Sequence, residues 1–114
     1  MTTQAETAVS SLAEALAALA ASNGAATLVG DAASGGGGWF RALIEAARRD
    51  YPEVTVTALL ECHDRPGLVL AGIRAGCRDL RFSGPPEVAA RLAALAAAAG
   101  ARLHPGGGDT SFPA

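Results

Sequence analysis

The chain contains no lysine; all nine of its basic residues are arginine. That absence excludes every mechanism built on a primary amine or a phosphate-loop lysine: Schiff bases, pyridoxal-phosphate enzymes and phosphate-loop NTPases. Aromatic residues are also scarce, at 4%, and much of the 50% apolar content is alanine. An alanine-rich core allows close approach between elements but buries little area per residue, so a partner surface would add stability. No apolar run reaches the ~20 residues that a membrane span requires. The formal net charge of −2 does not give the basic face of a nucleic-acid binder. The start, Met1-Thr2-Thr3-Gln4-Ala5-Glu6, lacks the basic residues that open a signal peptide. A cytoplasmic location is therefore expected, with neither membrane nor nucleic acid as a partner.

What is present reads as alternating helices and strands. Val9, Leu12, Leu16 and Leu19 recur at three- and four-residue spacing and predict a helix over 7–22, stopped by Asn23-Gly24. Residues 26–30 (Ala-Thr-Leu-Val-Gly) predict a short buried strand. The run 31–38, ending in four glycines, is expected to be a loop. A second helix is expected over 39–50, with Trp39, Phe40, Leu43 and Ile44 inward. The β-branched run 54–61 predicts a strand. Pro66 opens a short helix through Ala75, residues 78–82 form a third strand, and Pro86 lies in the first turn of a helix through Ala99 with Val88, Leu92 and Leu95 inward. Residues 101–103 form a fourth strand.

Successive strands start one βα unit apart, which implies parallel strands joined by right-handed crossovers. The expected fold is α/β: a small open four-stranded parallel sheet with helices on both faces, in the order 2-1-3-4. The alternative is a curved half-barrel in the order 1-2-3-4, which demands dimerisation to cover its open edges. Residues 1–104 form the single domain, and 105–114 are expected to be a disordered tail.

In an open parallel sheet, ligands bind beyond the carboxyl ends of the strands. That edge collects the candidate catalytic residues Asp31, Glu61, Cys62, His63 and His104. Candidate ligand-binding residues are Ser34 with Gly35, Gly36, Gly37 and Gly38, where a helix start favours anions, and Ser83 with Gly84 ahead of the final helix. The glycine run carries neither the phosphate-loop Lys and Ser/Thr nor a dinucleotide fingerprint. Cys62 and His63 are adjacent on an extended segment and point opposite ways, and no spaced Cys/His pairs exist, so no metal site is expected. Cys62 and Cys77 fall at opposite ends of neighbouring strands, on the order of 15 Å apart, and are not expected to bridge.

The stretch 65–92, with Ala75-Gly76 ahead of a strand and Pro85-Pro86 behind it, resembles one βα unit of phosphate-binding aldolase-type barrels. The resemblance implies that Ser83-Gly84 meets a phosphate; the aldolases' catalytic lysine is absent, so their activity does not carry over. Residues 80–100 are similar to the closing strand and helix of STAS-type anti-sigma-factor antagonists, whose Asp-Ser-Ser-Gly phosphorylation motif is missing here. Receiver domains share the alternation, but the chain lacks their lysine and acidic pair.

The sequence therefore points to a non-catalytic binding or interaction module that needs no cofactor, with a second copy of itself as the expected partner in a homodimer. The competing reading is a small enzyme or metabolite-binding protein that takes a phosphorylated or anionic small molecule at the carboxyl edge.

Overall fold

The computed structural model describes residues 5–106. Five strands and four helices alternate along the chain: β1 (Glu6–Ala8), α1 (Leu12–Ala20), β2 (Ala25–Asp31), α2 (Ala32–Asp50), β3 (Thr55–Glu61), α3 (Pro66–Arg74), β4 (Asp79–Phe82), α4 (Pro86–Ala98) and β5 (Arg102–Pro105). All neighbouring strands pair in parallel, in the order β1-β2-β3-β4-β5. The α/β class and the parallel sheet agree with the sequence reading, but the order 2-1-3-4 does not. Among the four expected strands the order is the sequential one of the half-barrel alternative, with β1 added at its edge.

The sequential order also removes the expectation of helices on both faces. Right-handed crossovers that always step in one direction across a sheet place every helix on the same side. Leu19 of α1, Phe40 and Ile44 of α2, Val69 of α3 and Leu92 of α4 accordingly share one core with Leu28, Leu60, Leu80 and Phe82 of the strands. Among the described residues the other face carries no helix, and it carries the buried charges of Glu61, Asp79 and Arg81.

Where the first helix was expected over 7–22, a strand and a shorter helix are found. Ser11 caps α1: its backbone is extended, and its hydroxyl accepts from the N–H of Glu14 at 3.2 Å. Glu14 reaches back to the N–H of Ser10 at 2.6 Å, a close variant of the capping box. That start releases residues 6–8 to pair with β2. Leu12 and Leu95, both expected inward, are exposed at 42% and 52%.

The run expected to be a loop is helical. Two helical segments meet at Gly36, whose φ of 79° and ψ of 173° break the helix between Ala32 and Asp50. The neighbouring glycines serve packing. A Cβ on Gly37 would sit 3.1 Å from the Cα of Gly72 and from Cys77 Sγ, and one on Gly35 would lie 2.6 Å from the Trp39 ring. Glycine here allows α2 to lie against α3, which outweighs its poor helix propensity. Gly76 and Gly100 stop α3 and α4, with φ of 87° and 78°. Pro105, expected to open a disordered tail, belongs with His104 to β5; of that tail, 107–114 lie outside the described residues.

The sheet is strongly curved. In a flat sheet, three strand spacings of ~4.8 Å would hold β1 and β4 about 14 Å apart with their side chains standing side by side. Instead Arg81 Nη1 on β4 donates to both carboxylate oxygens of Glu6 on β1, at 2.8 and 2.9 Å. The helix-free face is therefore the concave one, and its side chains converge.

Candidate functional site

Alternation along each strand decides which residues enter the concave face. Leu28, Leu60, Leu80 and Phe82 point to the helices, so Glu61, Asp79 and Arg81 beside them, and Asp31 three residues after Leu28, point away. The register then aligns Asp31, Glu61, Arg81 and His104 as one row across β2, β3, β4 and β5. Three of these four were sequence candidates. Arg81, with Glu6 and Asp79, was missed.

Arg81 is the centre of the row, with a side chain only 5% exposed. Besides Glu6 it donates from Nε to Glu61 Oε1 at 2.6 Å. Burial alone would lower the pKa of this guanidinium, but the hydrogen bonds and charges of Glu6 and Glu61 outweigh it and raise the value. The second oxygen of Glu61 accepts from the backbone N–H of His63 at 2.9 Å. One cation thus serves two carboxylates, an arrangement that stabilises buried charge only because each oxygen finds a donor.

At the rim, His63 Nε2 lies 2.9 Å from Asp31 Oδ1. Asp31 also accepts from the N–H of Ala33 and the hydroxyl of Ser34, both at 3.1 Å. Partial burial pushes the Asp31 pKa up, but His63, Ala33 and Ser34 together bring it below the usual carboxylate value. The carboxylate is therefore ionised near neutrality and can only accept, which puts the proton on His63 Nε2. His63 also has a φ of 56°, in the left-handed region that a non-glycine residue seldom occupies. On the far side, His104 Nε2 and Arg102 Nε approach Asp79 Oδ1 at 2.9 and 3.2 Å.

The structure brings Asp31, Ser34, Glu61 and His63 together at the carboxyl edge and seats His104 apart from them, with Asp79. Cys62 leaves the site. Alternation turns it into the helix-side core, where it is fully buried. Burial pushes its thiol up to about 12, with the negative charges of Glu61, Cys77 and Asp31 adding to the effect. A thiol so desolvated is a poor nucleophile, so the catalytic candidacy of Cys62 is withdrawn. Cys62 and Cys77 are both free, as expected.

The candidate anion sites also change character. Gly35, Gly36, Gly37 and Gly38 belong to the opening of α2 and not to an open cradle, and the Ser34 hydroxyl is engaged with Asp31. Ser83 donates its N–H to the His63 carbonyl at 2.8 Å. A Cβ on Gly84 would fall 2.3 Å from the Phe82 ring. Behind them Pro85 and Pro86 remove two of the N–H groups that a helix start would offer an anion.

Among the described residues, no group of three or more His, Cys, Asp or Glu side chains is arranged to hold a metal ion. Among the same residues, no helix is long and apolar enough to cross a membrane. No protein-family model matches the chain, and no curated protein matches its sequence.

Proposed function

We propose that the chain is a non-catalytic interaction module of the cytoplasm that works as a homodimer. The observation that carries this reading is the state of the two ends of the sheet. Beyond β1 and beyond β5 no further strand follows among the described residues, so each end presents a row of backbone donors and acceptors. Each end is also flanked by an exposed leucine: Leu12 at the start of α1, after β1, and Leu95 on α4, before β5. A second copy supplies the same two features, a parallel strand and an apolar contact, and its docking would shelter the concave charges. The cluster around Arg81 fits a structural role, because its charged groups are engaged with one another.

The test is the mass of the whole chain by sedimentation equilibrium across the micromolar range. The expected value is twice the 11.3 kDa of the chain. Leu12→Glu and Leu95→Glu, both at exposed positions, should shift the equilibrium to monomer without loss of helical circular dichroism. A stable wild-type monomer throughout that range overturns the reading.

A second reading, a small enzyme or metabolite-binding protein for an anionic molecule at the carboxyl edge, draws support from His63. Its left-handed backbone beside the ionised Asp31 is the kind of local strain that functional sites store. A thermal-shift screen against phosphorylated metabolites tests it: a ligand-dependent rise that His63→Gln abolishes supports the site. A rise that survives His63→Gln, or a flat screen, rejects it.

A further inference from the structure

We infer that the opposite, amino-terminal end of the sheet holds a binding site for a small molecule with an apolar body and a terminal phosphate or carboxylate. Pairing between β3 and β4 begins only at Leu59 and Asp79, so the first half of β3 has β2 on one side and, among the described residues, no strand on the other. The gap is a cleft of about 480 Å³, within the size range of small-molecule sites.

Its walls are both apolar and cationic. Phe40 and Ile44 of α2, Val56 of β3 and Ile73 of α3 supply the apolar surface. Arg41 and Arg48 of α2, Arg78 ahead of β4 and Arg102 of β5 converge on it from three segments, against the carboxylates of Glu45 and Asp79. Four guanidiniums facing two carboxylates leave an excess of two positive charges, on a chain whose formal net charge is −2. A local excess of the sign opposite to the whole protein attracts anions into the cleft.

The donors differ in how they are occupied. Arg41 pairs with Glu45 at 3.2 Å and donates to the Ala75 carbonyl, and Arg48 Nη2 donates to the Val56 carbonyl at 2.9 Å. Arg102 keeps its Nε against Asp79 while its side chain is 77% exposed. Arg78 has no side-chain hydrogen bond or ion pair among the described residues. Planar guanidiniums of this kind bind carboxylate and phosphate oxygens in pairs. The backbone adds donors. The Thr55 N–H bonds to Gly24 on the β2 side, so alternation turns the N–H groups of Val56 and Ala58 toward the cleft. Arg78, Arg102 and this bare strand edge form the anion-binding end, and Phe40, Ile44 and Ile73 hold the apolar body.

The site is independent of the homodimer reading and lies at the other end of the sheet from His63. The experiment is a titration of the isotope-labelled whole chain with phenyl phosphate, benzoate, benzylamine and inorganic phosphate, followed by amide chemical shifts. Phenyl phosphate and benzoate should saturate and move the amides of Val56, Ala58, Ile73 and Gly76, benzylamine should not, and inorganic phosphate should bind at least tenfold more weakly. Arg78→Gln and Arg102→Gln, each at an exposed side chain, should weaken phenyl phosphate at least tenfold, whereas Arg91→Gln on α4 should leave it unchanged. No saturable shift with either anion overturns the proposal, as do shifts confined to residues near His63, equal binding of inorganic phosphate, or full affinity in both arginine variants.

Discussion

Replacing Arg81 with methionine removes the one cation that joins β1, β3 and β4. The variant takes the guanidinium away from the carboxylates of Glu6 and Glu61, whose side chains are 27% and 12% exposed. Removing one member of a buried ion pair costs about 3–5 kcal/mol, and because Glu6 is partly hydrated the lower end applies, about 3 kcal/mol. That is a large share of the ~5–15 kcal/mol that stabilises a typical domain, and corresponds to a fall in Tm of roughly 10 °C or more. The sign of the pH dependence follows. In the variant the buried Glu61 carboxylate has lost that cation, so protonating it removes an uncompensated buried charge. The penalty is then fully present at neutral pH and is relieved as the carboxylate takes up its proton on acidification. Denaturant unfolding of both proteins between neutral pH and about pH 4, near the reference carboxylate value, should show the gap narrowing. Adding Glu61→Gln to Arg81→Met should recover much of the loss, since the amide needs no cation and its oxygen still accepts from His63. A cost below about 0.5 kcal/mol, the range of ordinary surface changes, with no pH dependence would refute the reasoning.

Three further outcomes are expected. Cys62, with its thiol near 12, should have only about 10⁻⁴ of its population as thiolate at pH 8 and resist alkylation until the chain unfolds; labelling at the rate of a free thiol would contradict its burial. Gly30→Ala would place a Cβ 2.3 Å from the buried Phe40 ring and should destabilise by about 1–3 kcal/mol in chemical denaturation; an unchanged midpoint would contradict that packing. The lowered pKa of Asp31 contributes stability above the unfolded carboxylate value and loses it as pH falls through the folded one. Asp31→Asn should therefore cost stability at pH 7 and progressively less below about pH 4; an Asp31 carboxyl resonance titrating above the ordinary value of 3.8 would refute the sign.

Much of the helix and strand alternation was legible because period is a strong signal. Residues 54–61 and 66–75 read correctly from β-branched content and an N-terminal proline. β1 was hidden because Val9 falls on the same three- and four-residue spacing as the leucines of α1, and three residues are too short to show their own period. The signal that separates them is Ser11 with Glu14, a cap that places the helix start after Ser11. The glycines at 35–38 were misread because propensity speaks for the isolated chain, whereas Gly37 faces Gly72 across two helices. Strand order was not legible, since connections of similar length serve either winding direction.

The site was half legible. Asp31, Glu61, His63 and His104 were found because polar residues at strand ends stand out. Asp79 at the start of β4 and Arg81 within it do not stand at the strand's carboxyl end, yet they alternate with Leu80 and Phe82, and that period of two marks a charged face opposite an apolar one. The same period of two speaks against Cys62 as a nucleophile, for its alternation with Glu61 turns it inward.

A double-mutant cycle on Glu6 and Arg81 tests most directly whether the sheet curls until side chains of its first and fourth strands meet across the concave face. Hydrogen bonds to charged groups contribute about 1.5–3 kcal/mol, so Glu6→Gln and Arg81→Met should show a coupling energy of at least about 1 kcal/mol. Additive costs for the two changes would mean that these side chains do not meet, and the concave charged face would not exist.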